Sequence, residues 1–284
     1  MGIKIIDISE HNNITDYEKI KESTNGVLIR AGYGKGNIDS EFKNNIENLS
    51  KLNVPIGIYW FSYAYTVEMA INEAMMTVQT VRKYKIDLPI FFDYEYDSRR
   101  YSRSCGVEPT KELVTDMTKA FCKTIESYGY KAGYYANTEF LNDYIDRVQL
   151  KDYYFWYAWY VNVGTECDEE CDIWQYSDVG KNPGISNNTD LNIVFTESIF
   201  NRGEDMDYTK FPRLILGSTG TAVAIAQLVI GNTYPNGIFD SVFETAVKAY
   251  QKAKGLTQDG RIGRYTWECI VKDIQLLKVG KITV

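Results

Sequence analysis

Short apolar runs rich in β-forming residues recur along the first two-thirds of the chain, at 3–8, 26–31, 55–63, 88–95, 131–135, 153–160, 172–176 and 190–195. Helical patterns lie between the early ones, at 15–22, 39–52, 67–84 and 110–128. In the third of these, Ala70, Ala74, Met75, Val78 and Val81 share one face. Strands alternating with helices predict a parallel sheet, and eight of them predict a closed β/α barrel. The later connections are too short for crossover helices. The expected fold is therefore α/β, an irregular TIM-like barrel that is regular in its first half and stripped of helices in its second. Functional groups of such a barrel gather at the C-terminal strand ends. Here those ends carry Asp7, Arg30, Tyr63, Asp93 with Glu95, Tyr135 with Asn137, Tyr160, Gln175 with Tyr176, and Asp190 with Asn192.

The run Pro89-Ile90-Phe91-Phe92-Asp93-Tyr94-Glu95-Tyr96-Asp97 carries the most chemistry. Read as a strand, it points Asp93, Glu95 and Asp97 to one side and Phe92, Tyr94 and Tyr96 to the other. Asp93 and Glu95 would then stand roughly 6.6 Å apart at the backbone, within reach of opposite ends of one glycosidic bond. A glycosidase needs a protonated carboxyl for the leaving oxygen and a charged group for the developing oxocarbenium ion. Glu95 is the expected acid, its pKa raised to about 6 by neighbouring acids and aromatic surroundings, and Asp93 is the stabilising carboxylate. The 23 tyrosines and five tryptophans suit a carbohydrate site, where aromatic faces meet sugar rings. Tyr59, Phe61, Tyr63, Tyr135, Trp156, Tyr160 and Trp174 are the candidate sugar contacts.

Residues 201–213 are polar and unpatterned, as expected of a linker. Beyond them, 214–284 form a compact all-α unit of three helices with an internal echo. Asn236-Gly237-Ile238-Phe239-Asp240 and Asp259-Gly260-Arg261-Ile262-Gly263 each place an Asx-Gly turn before a helix. Charge divides with the domains: residues 210–284 hold ten Lys and Arg against five Asp and Glu, whereas residues 1–209 hold 21 against 33. The net +5 of the small domain suggests a polyanionic partner such as a cell wall.

Other chemistries find little support. The only histidine, His11, has no nucleophile-elbow or papain-like signature beside it and reads as a rim or structural residue. Five cysteines include the metal-like pair Cys167 and Cys171, but no second pair completes a zinc site. Gly32-Tyr33-Gly34-Lys35-Gly36 lacks the spacing of a nucleotide loop and reads as a flexible strand-end loop. No metal, cofactor, nucleic acid or membrane is expected. The N-terminal Met1-Gly2-Ile3-Lys4-Ile5-Ile6-Asp7 has no signal-peptide core, so cytosolic synthesis with reduced thiols is expected.

Taken together, the residues resemble the family 25 glycoside hydrolases, the Chalaropsis-type lysozymes. Asp7-Ile8-Ser9 with Asn12, the 30–36 segment with Asp39, Phe42 and Asn45, Gly57-Ile58-Tyr59-Trp60-Phe61, Asp93-Tyr94-Glu95, Tyr135, Trp156-Tyr157-Ala158-Trp159-Tyr160, Trp174-Gln175-Tyr176 and Asp190-Leu191-Asn192 carry the likeness in order. The second region is similar to the peptidoglycan-binding type 1 module, although Asn236, Asp240 and Phe243 depart from its usual Asp, Gly and Thr. The resemblance implies a catalytic barrel at 1–200 and a wall-binding domain at 214–284. It also implies a phage-type endolysin released through a holin pore, hydrolysing the β-1,4 bond between N-acetylmuramic acid and N-acetylglucosamine. Asp93 would support attack by the substrate's own acetamido group, with direct inversion left open by the spacing of the two acids, and Asp7, Asp190, Gln175 and Asn192 would hold the site and the sugar. The rival readings are a glucosaminidase or chitinase-type barrel and a non-catalytic glycan-binding protein. Met206, downstream of the purine-rich codons available to Arg202-Gly203-Glu204, is a candidate internal start for a C-terminal fragment that associates with the full-length chain.

Overall fold

Nine strands among the described residues form one sheet: β1 (Ile3–Ile8), β2 (Val27–Tyr33), β3 (Asn37–Ile38), β4 (Ile56–Phe61), β5 (Ile90–Asp93), β6 (Ala132–Asn137), β7 (Tyr154–Ala158), β8 (Ile173–Gly180) and β9 (Thr189–Val194). Their order is β1-β9-β8-β7-β6-β5-β4-β2-β3, and an additional β1–β2 pairing closes eight of them into a barrel. This computed structural model describes residues 3–161, 166–200, 211–231 and 235–278. The chain divides into two units, Met1–Arg202 and Gly203–Val284, and the expected linker lies largely outside the described residues.

The early strands run parallel, each backed by a helix. The helices are α1 (Tyr17–Ser23), α2 (Phe42–Lys51), α3 (Val67–Val81), α4 (Tyr96–Ser104), α5 (Lys111–Ser127) and α6 (Thr138–Asp143). The longest, α5, begins where Thr110 Oγ1 accepts a hydrogen bond from the Leu113 amide (3.2 Å). It buries Val114, Met117, Phe121, Cys122 and Ile125 at helical spacing, each large apolar side chain contributing about 1.5–3 kcal/mol.

Two apolar layers result. An outer one lies between strands and helices, and an inner one fills the barrel with Ile5, Leu28, Tyr59, Leu88, Phe91, Tyr135, Trp156, Ala158, Ile173 and Val194. Gly133 makes room for the inner layer: a Cβ there would sit 2.5 Å from the Phe91 ring and from the Tyr154 carbonyl oxygen.

Several expectations need correction. β9 runs antiparallel to both β1 and β8, because a short β8–β9 hairpin replaces the crossover a parallel strand would require. The glycine-rich 32–36 segment is no loose loop, since it turns the chain into β3, which pairs with Gly32 and Tyr33. The β-type run after Phe92 stops at Asp93, and α4 starts at Tyr96. Asp97 is therefore helical, half exposed and paired with Arg100, and does not join Asp93 and Glu95.

In the second unit α7 (Thr221–Ile230), α8 (Ser241–Ala253) and α9 (Arg264–Lys278) surround Val223, Phe239, Phe243, Val247, Ile262, Trp267 and Ile270. The two echoed turns are built alike. Gln227 Nε2 donates to Asn236 Oδ1 (2.9 Å) and the Ile238 carbonyl (3.0 Å), while its Oε1 accepts from the Gly237 amide (2.9 Å). Gln251 repeats this with Asp259 (2.9 Å), Arg261 (2.9 Å) and Gly260 (3.0 Å). Gly237 and Gly260 both have φ of +70°, a conformation that favours glycine. Phe243, the departure from the usual pattern, packs its ring 4.9 Å from Phe239.

Candidate active site

A cavity of about 330 Å³ opens at the C-terminal ends of the parallel strands. Asp7, Arg30, Tyr59, Phe61, Asp93, Glu95, Tyr135, Trp156, Tyr160, Gln175 and Asp190 line it, joined by Ser9, His11, Asn12, Asn187 and Asn188 from the loops. Strand alternation explains the selection. Tyr59 and Phe61 on β4, Phe91 and Asp93 on β5, Trp156 and Ala158 on β7, and Ile173 and Gln175 on β8 fall on the inner side.

The same parity sends Trp174 the other way. It packs against Trp159, Tyr176 and Phe195 and donates to the Trp159 carbonyl (2.9 Å), so the structure does not bring it to the cavity. Tyr63 lies beyond the cavity's edge, and Asn192 is buried beneath it.

A hydrogen-bonded chain ties the site together. Tyr135 and Tyr160 hydroxyls donate to Gln175 Oε1 (3.0 and 2.8 Å). Gln175 Nε2 and Asn192 Nδ2 donate to Asp7 Oδ2 (3.0 and 2.8 Å), and Trp156 Nε1 donates to Asn192 Oδ1 (2.8 Å). Asn192 is thereby fixed in one orientation by the donor-only Trp156 indole. Asp190 meets Asp7 because β1 and β9 pair with these two residues in register.

Four carboxyls therefore share one desolvated space, and all four are held above the usual carboxylate range. Burial raises Asp7. Burial and the Asp7 charge push Asp190 to about 9, and burial and the Glu95 charge push Asp93 well up. Glu95 rises to about 7, again through burial first and then the charges of Asp7 and Asp97. Glu95 is the N-cap of α4, its amide donating to Ser98 Oγ (3.0 Å). A helix start favours the ionised carboxyl, so burial and the charges of the surrounding acids together outweigh it. Asp93 and Glu95 act on each other directly, the neighbour raising Asp93 and lowering Glu95. Asp93 Oδ1 is buried without a partner among the described residues, an acceptor held ready for a donor.

His11, expected as a rim or structural residue, lines the cavity with Nε2 3.4 Å from both terminal nitrogens of Arg30. Arg30 is itself engaged by Asp39 (2.7 Å) and Glu10 (2.8 Å). Asn187 and Asn188 carry no signal in the sequence that marks them as cavity residues. They precede Asp190 in an Asn-rich turn and bond to the 11–13 loop, Asn187 Nδ2 donating to the His11 carbonyl (2.7 Å) and Asn12 Nδ2 to that of Asn188 (3.1 Å).

The profile of glycosyl hydrolases family 25 matches residues 6–185, more than half of the chain. The chain belongs to that family. A putative peptidoglycan binding domain matches residues 229–270. No curated protein matches the chain in sequence. Among solved structures, this family 25 chain is similar to the modular autolysin LytC from Streptococcus pneumoniae, solved with a synthetic peptidoglycan ligand: 27% identity, TM-score 0.59, covering 68% of this chain and 46% of that one. It thus spans about half the length of the autolysin. The catalytic domain of endolysin ply40 from bacteriophage P40 of Listeria monocytogenes is 24% identical with a TM-score of 0.59, over 71% and 97% of the two chains. The CTP1L endolysin is 22% identical with a TM-score of 0.56, over 68% and 66%. These last two share the fold.

Proposed function

We propose that this family 25 chain is a phage-type endolysin, a muramidase that hydrolyses the β-1,4 bond between N-acetylmuramic acid and N-acetylglucosamine in the wall of a Gram-positive host. The observation that carries the reading is the pair Asp93 and Glu95, both lining one cavity, with Asp93 Oδ1 buried and unpartnered among the described residues. Glu95, the more accessible of the two, gives its proton to the leaving glycosidic oxygen. Asp93 receives the amide N–H of the substrate's acetamido group at Oδ1 and orients the acetamido oxygen toward the anomeric carbon, so that no protein nucleophile is needed. Asp7, held by Gln175 and Asn192, keeps negative potential beneath the developing oxocarbenium ion, with Asp190, pushed up to about 9, carrying its proton beside it. Tyr59, Phe61, Tyr135, Trp156 and Tyr160 supply the aromatic walls.

The peptidoglycan-binding match supports residues 214–284 as the module that holds the enzyme on the wall, with the holin pore as the route outward. No helix among the described residues is long and apolar enough to cross a membrane. Met206, outside the described residues, is the proposed start of a free module copy. The CTP1L endolysin, whose activity is regulated by a secondary translation product, supports this reading.

Reducing-end analysis of digested wall tests the bond: new muramic ends support the assignment, new glucosamine ends replace it with a glucosaminidase, and no new ends indicate a binding protein. A module fragment that persists after Met206→Leu with silent recoding of codons 202–204 would exclude internal initiation.

A further inference from the structure

Five aromatic rings at the edge of the cavity belong to none of the apolar cores: Tyr33, Phe61, Tyr63, Tyr65 and Tyr101. All are at least partly exposed, with Tyr101 36% exposed. They touch in sequence, Phe61 to Tyr63 with centroids 5.4 Å apart, Tyr63 to Tyr101 at 5.3 Å and Tyr101 to Tyr65 at 6.1 Å, with Tyr33 beside Tyr63 at 6.5 Å. Phe61 lines the cavity, so the row is continuous with it. Among the described residues the hydroxyls of Tyr33, Tyr63 and Tyr65 find no hydrogen-bond partner in the protein.

The fold spends a buried acid on this row. Glu73 of α3 is 2% exposed and takes no part in the carboxyl cluster. It accepts from Ser62 Oγ (2.6 Å) and from the Tyr63 amide (3.0 Å), fixing the chain where it leaves β4. Gly34, at φ +55°, lies behind the Tyr63 ring, where an added Cβ would come within 3.2 Å. Core packing does not explain why rings outside the core should be positioned so firmly. The neighbouring charges of Asp97 and Arg100 are paired with each other, and Arg30 over the Tyr33 ring is paired with Glu10 and Asp39, which leaves a surface of flat apolar faces and free hydroxyl edges with Lys35 as the nearby cation. That combination suits a neutral saccharide, whose C–H faces stack on rings and whose hydroxyls bond their edges.

We propose that Tyr63, Tyr101 and Tyr65, with Tyr33 at their flank, form an accessory glycan shelf that binds sugars of the strand lying beyond those in the cleavage cavity. It rests on the glycan-hydrolase reading above. The shelf makes the enzyme favour long strands over short oligomers, with Glu73 as its positioning residue.

The test uses the full-length chain and peptide-free glycan strands. In wild type and in the Tyr65→Ala/Tyr101→Ala double variant, kcat/KM is measured on long strands and on a tetrasaccharide. The expected result is a fall of roughly tenfold in the long-to-short ratio, carried by KM, and restored by Tyr65→Phe/Tyr101→Phe because the faces remain. Binding of long strands by calorimetry, in proteins that also carry Glu95→Gln, should weaken by the same factor. An unchanged ratio together with unchanged binding in a folded double variant overturns the shelf while leaving the hydrolase reading intact. A wild type that releases no reducing ends from either substrate overturns the hydrolase reading; if strand binding in that case is the same with and without the two tyrosines, the shelf falls as well.

Discussion

The mouth of the barrel and the turns of the small domain bury polar side chains in opposite ways. Around the cavity, four carboxyls crowd together, Asp93 Oδ1 has no partner among the described residues, and each group is driven toward its protonated form. In the small domain Gln227 and Gln251, each 2% exposed, have both ends of their amides satisfied by the turn they enclose. Neutral, fully bonded burial stabilises a fold; acidic, incompletely bonded burial costs stability and persists where a reaction uses it.

Glu95→Gln offers the sharpest attempt to break this contrast. An amide of equal volume cannot donate the proton, so kcat on purified wall should fall by about 10³-fold or more, with wall binding retained. Wild-type turnover in this variant would remove Glu95 as the acid.

The pH profile comes next. Glu95 must carry its proton, so activity should decline as pH rises through about 7. Because the Asp7 charge helps to hold that pKa up, Asp7→Asn should move the alkaline limb to lower pH as well as slowing turnover. A limb that stays in place would mean that another group sets it.

For the satisfied amides the expected loss is one of stability. Gln251→Ala should destabilise the small domain by about 2–3 kcal/mol, since it strands the Gly260 amide and several acceptors. Gln227→Ala should cost less, because its partner Asn236 is neutral whereas Asp259 is charged. Thermal unfolding of the full chain measures both, and release of reducing ends from soluble glycan should not change.

The smallest effect concerns Glu73, whose carboxyl burial raises to about 8. A raised carboxyl contributes stability that is present below its unfolded pKa and is lost as pH climbs through the folded value. Wild-type Tm should therefore drop between about pH 5 and pH 9 more steeply than that of Glu73→Gln, whose amide can serve the same two partners at every pH. Parallel curves would show that Glu73 does not titrate in this window.

Much of the barrel was legible because its strands are two-sided and its helices one-sided, and both leave a period in the sequence. The eight β-type runs correspond to β1, β2 and β4 to β9, with ends shifted by a few residues. Direction was not legible for β9, since an antiparallel hairpin strand has the same alternation as a parallel one. Around the site, period two correctly predicts Tyr59 with Phe61 on one side, and it also forbids Trp174 from joining Gln175. The strand reading failed at Glu95 and Asp97, where the chain leaves the sheet and Glu95 caps a new helix. Asn187, Asn188 and His11 lay in turns, where side-chain direction follows tertiary hydrogen bonds that no local pattern encodes.

The reversed β9 has one more consequence. Because β8 and β9 are joined by a hairpin, Gln175, Asn187, Asn188, Asp190 and Asn192 all lie within one uninterrupted stretch, 175–192, with no helix between them. One entire wall of the cavity is thus a transplantable cassette. Recombination between relatives could exchange it as a unit, changing the groups that surround Asp7 while the helix-backed strands bearing Asp93 and Glu95 keep their sequence.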